Sequence, residues 1–251
     1  MRDTYGLIGY PLTHSFSAKF FNEKFDREQI DAEYLNFEIE DINQIQDLIH
    51  SHPRLKGLNV TIPHKEKVIP LLDALSAEAT QIGAVNVIRV ERKSPESNHV
   101  QLTGYNTDYI GFRDSIVPLI SPAIHQNALV LGTGGASKAV AQTLINLGIN
   151  WKYVSRTPGD NKYGYNELTP EIMASCHLIV NASPLGTFPH TDQCPDIPYQ
   201  YLTPDHLLYD LVYNPEETLF LKKGRMQGAT IKNGKEMLEI QARAAWKIWN
   251  T

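Results

Sequence analysis

An α/β protein of two domains is what the sequence predicts, and three observations predict it. Short apolar strands alternate with helices, which implies βαβ units and a mostly parallel sheet. The alternation fills the first hundred residues, breaks near Asp108 and starts again. The chain of 251 residues is long enough for two domains at about 100–200 residues each.

In the first series the predicted strands are Thr4–Gly9, Ala32–Glu38, Lys56–Thr61, Ala84–Val90 and Val100–Tyr105. The predicted helices are Ser17–Phe25, Asp41–His50, Lys65–Leu72 and Ser76–Ile82, and Ser94 to His99 reads as a polar surface turn. Helix Asp108–Leu119 leads into a loop around Ser121 and Pro122. In the second series Ala128–Leu131 is a short apolar strand, and Ala136–Leu147 is a helix ended by Gly148. Trp151–Ser155 is a strand. Thr169 and Pro170 supply the N-cap and first turn of helix Pro170–Ser175. Strands Leu178–Asn181 and Leu207–Val212, helix Glu216–Gln227, strand Thr230–Lys232 and helix Lys235–Trp249 complete the chain. The expected domains are residues 1–107 and 108–233, with the last helix, in 234–251, returning to the first.

Hydrophobic residues make up 42% and charged residues 20%, which excludes a disordered or coiled-coil chain. Lys and Arg number 23 against 28 Asp and Glu, a net charge of −5, so no nucleic-acid partner is expected. Cys176 and Cys194 form neither a disulfide framework nor a zinc spacing. His50 and His52 come nearest to a ligand pair, and no metal is expected. Met1 to Pro11 lacks an apolar signal core, and no uncharged apolar run is long enough to span a bilayer. A soluble cytoplasmic enzyme of a reducing compartment is the expectation.

Gly132-Thr133-Gly134-Gly135-Ala136-Ser137 runs from a predicted strand into a predicted helix. Glycine there permits positive φ and close approach of the backbone to a pyrophosphate, and the helix N-terminus adds amide donors and partial positive charge. This makes the second domain Rossmann-type. An ordinary tight turn is the plainer alternative. The next strand ends Val154-Ser155-Arg156-Thr157, with no acid before Asp160. An acid would suit the free 2′-hydroxyl of NAD, whereas a guanidinium fork suits a 2′-phosphate and points to NADP. A solvated charge after a strand is the plainer reading of Arg156.

Three segments of the first domain carry polar residues that a plain core does not need. The loop Gly9 to Ser17 holds Ser15 and Ser17, which serve either as helix caps or as donors to a substrate carboxylate. The segment Leu58 to Glu66 places Asn59, Thr61 and Lys65 at the carboxyl end of a strand, where α/β sheets bind ligands. A lone lysine at a helix start is usually just solvated. Asn86 and Asp108 again stand near strand ends. On the last helix Gln241 shares a face with Met237, Leu238, Ala244, Ala245 and Ile248, and a glutamine buried there needs a partner.

Together these segments resemble the shikimate dehydrogenase family. Gly9 to Ser17 is similar to its G-x-P-x-x-H-S-x-S signature, and Asn59 to Glu66, N-V-T-I-P-H-K-E, to its most specific motif. Gly83–Asn86, Asn106–Asp108, Gly132–Ser137, Ser155–Thr157, Asn181–Gly186, Asp210–Pro215 and Gly234–Gln241 resemble its remaining motifs, in order along essentially the whole chain. Ala18, Phe21, Val87 and Ser155 stand where the family usually has proline, histidine, threonine and asparagine. Residues Thr157 to Asn166 do not match its adenosine-side loop.

The resemblance implies reversible NADPH-dependent reduction of 3-dehydroshikimate to shikimate, in a cleft between the two domains, by a monomer or homodimer that has no membrane partner. It implies Lys65 as the proton donor, with Asp108 holding its ammonium and a substrate hydroxyl. Ser15, Ser17 and Tyr213 would meet the substrate carboxylate, and Thr61, Asn86, Asp108 and Gln241 the ring hydroxyls. Gly132, Thr133, Gly134, Gly135, Ala136, Ser155, Arg156 and Thr157 would hold the dinucleotide, with the nicotinamide near Leu211, Gly234 and Met237. A quinate/shikimate dehydrogenase using NAD is the runner-up; an acid at Thr157 or Pro158 would have favoured it. A non-catalytic binding module is the other alternative, against which the lysine and aspartate are both present.

Overall fold

Residues 2–12, 16–92 and 100–251 are described by the computed structural model. Residues 1–107 with Ala242–Thr251 make one unit, and Asp108–Gln241 make the other.

In the first unit β1 (Asp3–Gly9), β2 (Ala32–Glu38), β3 (Leu55–Val60), β4 (Ala74–Leu75), β5 (Val87–Arg92) and β6 (Val100–Tyr105) form one sheet. Its order is β2-β1-β3-β5-β6-β4. β2, β1 and β3 are parallel; β5 is antiparallel to both β3 and β6, and β4 is parallel to β6. Only residues 93–99 separate β5 from β6, and so short a link joins strands antiparallel. The predicted turn at Ser94 to His99 lies outside the described residues.

Helices α1 (Phe16–Glu28), α2 (Ile45–Ser51) and α3 (Ala77–Ile82) accompany this sheet. The Ser76 hydroxyl caps α3 by accepting from Ala79 N at 3.1 Å. The stretch 65–72, expected as a helix, is instead a series of turns closed by a short 3-10 turn at Ile69–Leu71. Pro70 accounts for the difference. It has no amide hydrogen to return to Glu66, whose carbonyl accepts from Ile69 N at 3.3 Å in the 3-10 pattern instead.

Alternating residues of the strands bury two separate clusters. Ile8, Leu58, Val60 and Ile88 pack with Ile45, Leu48 and Ile49 of α2. Tyr5, Leu7 and Val87 pack with Phe21 and Phe25 of α1 and with Ala242, Ala245 and Trp249 of the last helix. Trp249 lies flat against Gly57, where a Cβ would come within 2.2 Å of the indole. Its Nε1 donates to the Ile88 carbonyl at 3.0 Å.

The second unit contains α4 (Asp108–Ile116), β7 (Asn127–Leu131), α5 (Gly135–Asn146), β8 (Asn150–Ser155), β9 (Lys162–Gly164) and α6 (Pro170–Ser175). β10 (Leu178–Asn181), β11 (Leu207–Asp210), α7 (Leu219–Met226) and β12 (Thr230–Lys232) follow, and α8 (Lys235–Trp249) starts in this unit and ends in the first. The strands form an all-parallel sheet in the order β12-β11-β10-β7-β8-β9. This is the doubly wound order of dinucleotide-binding folds, with the switch point between β7 and β10. The α/β fold class with a Rossmann-type second half is therefore borne out. β9 is an addition to the predicted strands. Residues 156–161 alone return the chain to it, where a parallel crossover usually needs about a dozen residues or more.

Val130, Val180 and Tyr209 bury one side of this sheet with Phe112, Leu144 and Met237; Leu129, Leu131, Ile179 and Leu208 bury the other with Phe220 and Leu221. No helix among the described residues is long and apolar enough to cross a membrane. No group of three or more metal-ligating side chains occurs among the described residues.

Candidate active site

The candidate residues of the first unit collect at one edge of its sheet. β1 and β3 end there. Because β5 runs the other way, it begins there, and β6 ends there again, with Asn59 paired to Val87 and Val87 to Tyr105. Backbone bonds tie the loops together: Thr61 N donates to Ile8 O at 2.9 Å, Tyr10 N to Ile62 O at 3.1 Å, and Val85 N to Lys65 O at 2.7 Å. The buried His64 anchors the Lys65 loop through Nε2 and the Ile39 carbonyl, 2.7 Å apart. Lys65 and Thr61 are half-exposed, directly after the buried His64 and Val60 respectively.

Asn86 is buried and belongs to a polar network. The Tyr34 hydroxyl donates to Asn59 Oδ1 at 2.7 Å, and Asn59 Nδ2 donates to the Asn86 carbonyl at 3.3 Å. Asn86 Oδ1 accepts from Thr107 N at 2.7 Å, and Asn86 Nδ2 reaches Thr107 Oγ1 at 3.1 Å. Ser17, in the first turn of α1, shares a hydrogen bond with Tyr34, whose phenol burial pushes well above its ordinary value. The tyrosine stays a neutral donor at any working pH. Ser15 lies outside the described residues. Asp108 follows this edge directly and opens α4 as a buried residue.

In the second unit Gly132 has φ +103° at the end of β7. A Cβ there would stand 3.2 Å from Ser183 N and 3.3 Å from the Ala182 backbone, so the loops after β7 and β10 touch at the switch point. Thr133 and Gly134 are exposed, while Gly135 and Ala136 are half-buried in the first turn of α5. Beyond β8, Ser155 Oγ donates to Thr157 O at 2.5 Å and accepts from Thr157 N at 3.2 Å, a local turn that leaves Arg156 exposed. Leu211 N donates to Asn181 O at 2.9 Å and Gly234 N to Val212 O at 3.1 Å, so the ends of β10, β11 and β12 are laced together. Met237 and Gln241 are buried, and Gln241 Nε2 donates to Leu238 O at 3.1 Å. Tyr213 is exposed, with its phenol pushed upward by burial of the ring's surroundings.

These groups fit a phosphorylated dinucleotide. Glycine removes side chains from the turn, the first amides of α5 leave the helix end, and an exposed arginine rather than an acid follows β8. The candidate residues predicted from sequence omit Asn181, Ser183, Asp210 and Thr218, which form a buried network beneath the loop after β10. The signal was there: Asn181 and Asp210 are polar residues closing two apolar strands.

Residues 7–88 match the family model of the shikimate dehydrogenase substrate binding domain. The shikimate dehydrogenase (NADP(+)) of Desulforamulus reducens is 35% identical over 97% of this chain and 88% of its own length. That of Clostridium beijerinckii is 40% identical over 98% of this chain and 91% of its own. A crystal structure of a shikimate dehydrogenase in complex with NADP+ superposes with a TM-score of 0.85 at 30% identity, covering 99% of this chain and 90% of that one.

Proposed function

The chain belongs to the shikimate dehydrogenase family, and from that premise we propose that it catalyses the reversible NADPH-dependent reduction of 3-dehydroshikimate to shikimate. It is an NADP-dependent oxidoreductase acting on a CH–OH group. The observation that carries the reading is likeness along nearly the whole chain to enzymes named for this activity, with Lys65 and Asp108 both present. We further propose that it works in the cytoplasm as a monomer or homodimer on a small-molecule substrate.

Bound NADPH supplies the hydride. Its arrival at the ketone carbon leaves charge on the oxygen, and a proton donor must stand within about 3 Å. Lys65 is that donor, and the base in the oxidation direction. Asp108 orients the ammonium and a substrate hydroxyl. Ser15, Ser17 and Tyr213 receive the carboxylate, and Thr61, Asn86 and Gln241 the ring hydroxyls. Gly132–Ala136 and Ser155–Thr157 would hold the cofactor, and Leu211, Gly234 and Met237 would receive its nicotinamide half. The test is absorbance at 340 nm with shikimate and either NADP or NAD. Turnover with NAD alone, or with neither, overturns the reading.

Arg156→Ala is expected to weaken NADP binding by roughly 10–150-fold, the worth of losing hydrogen bonds between charged groups. NAD lacks the 2′-phosphate, so its affinity should stay nearly constant. Calorimetric titration with both cofactors checks this, and equal losses would mean that Arg156 shapes the loop instead.

Gln241→Ala is expected to raise KM for shikimate by about 2–10-fold, the worth of one neutral hydrogen bond, while kcat changes little. Lower melting temperature with unchanged kinetics would assign Gln241 to the core.

A further inference from the structure

We infer that Asp210 is a positioning residue that holds the loop after β10 against the glycine turn and thereby sets cofactor affinity. This rests on the NADP reading above. Asp210 ends β11 with no exposed surface. Its Oδ1 accepts from Asn181 Nδ2 at 2.9 Å and from Val212 N at 3.0 Å, and its Oδ2 from the Thr218 hydroxyl at 2.5 Å. The contact with Asp210, together with the longer one from Nδ2 to the Leu185 carbonyl at 3.4 Å, sets which way the Asn181 amide points. With Nδ2 committed to the carboxylate, Asn181 Oδ1 faces outward and accepts from Ser183 N at 3.1 Å and Ser183 Oγ at 2.6 Å. The Ala182–Ser183 backbone is the part of the loop that meets Gly132. A chain of hydrogen bonds thus runs from a buried carboxylate to the turn proposed to carry the pyrophosphate.

Stability alone does not explain this carboxylate. Among the described residues it has no ion-pair partner. Tyr199 is within electrostatic reach, neutral, and carries Lys223 over its ring. Lys232, beside Tyr209 in register, is paired with Glu236, and Glu217, next to Thr218, with Arg225. Burial raises the Asp210 carboxyl to about 6, against the opposing pull of its three hydrogen bonds. A folded-state pKa above the unfolded value adds stability that is full below the unfolded value and is lost as pH rises through about 6. Above that pH the fold forgoes this stability, and residues kept on such terms cluster at functional sites.

The experiment compares wild type with Asp210→Asn, which keeps the shape but lacks the charge and one acceptor. NADP binding is measured by calorimetry between about pH 5.5 and 8, shikimate binding by fluorescence, and melting temperature in parallel. At the upper pH the expected result is NADP affinity lowered about tenfold or more, shikimate affinity unchanged, and a melting temperature equal to or above wild type. Wild-type NADP affinity should also fall more steeply below about pH 6 than that of the variant. The cofactor's own phosphate titrates there in both proteins, so the difference belongs to Asp210. Unchanged NADP affinity, or parallel losses of shikimate affinity and melting temperature, overturns the inference. Should Asp210→Asn fail to fold, Ser183→Ala decides at the outer end of the same chain: weaker NADP binding at constant melting temperature supports it, and unchanged binding refutes it. Wild type that fails to bind NADP at all would instead refute the cofactor reading.

Discussion

Lys65→Ala is expected to lower kcat by about 10²–10⁴-fold while shikimate still binds. Proton transfer acts in the transition state, so removing the donor raises the barrier without removing the pocket. The frame should survive the change. The Lys65 carbonyl, not its side chain, receives Val85 N, and the buried His64 anchors the loop from beneath. Lys65 is half-exposed, so truncation opens no core cavity. On the proposed roles, Asp108→Asn should behave alike, because the ammonium would lose its orienting charge. Steady-state kinetics with a separate binding titration checks both. Lost shikimate affinity with kcat intact would make Lys65 a binding residue.

Trp249→Ala is expected to destabilise the first unit by about 3–5 kcal/mol, the range for emptying an aromatic site in a core. The indole lies on Gly57, where no side chain can fill the gap, and its ring stands 5.1 Å from Tyr5 and 5.2 Å from Phe21. Its loss also leaves the Ile88 carbonyl without the Nε1 donor. Urea unfolding followed by circular dichroism measures the effect. A change below about 1 kcal/mol would show that the neighbouring rings collapse into the space.

Much of this architecture was legible because local and global preferences agree. β2, β6, β10, β12, α6 and α8 have the predicted bounds, and Thr169 caps α6 through Ile172 N as expected. β4 and β9 escaped because they are two and three residues long, and their neighbours rather than their own pattern make them strands. The helix expected over 65–72 failed on a single residue, Pro70. At the candidate site, residue types at strand ends pointed to Lys65, Asn86 and the glycine turn. Single strand ends do not reveal that Asn181 and Asp210 meet across two strands, since only the β10–β11 register brings them opposite each other. Arg156 was legible for the same reason that its surroundings were not. The strand before it mixes Trp151, Tyr153 and Val154 with Asn150, Lys152 and Ser155, and the turn after it follows from local hydroxyl and backbone bonds.

The seat of Trp249 on Gly57 also orders the birth of the protein. Residues 1–107 leave the ribosome first, yet their core includes Ala242, Ala245 and Trp249. At about 5–20 residues per second, the intervening Asp108–Gln241 keeps that core waiting for about 7–27 seconds. Throughout that interval Tyr5, Phe21 and Phe25 lack the helix that covers them, so apolar surface of the first unit stays open until α8 is made. The second unit is one uninterrupted stretch, ending within α8. The half synthesised first is therefore the half that matures last.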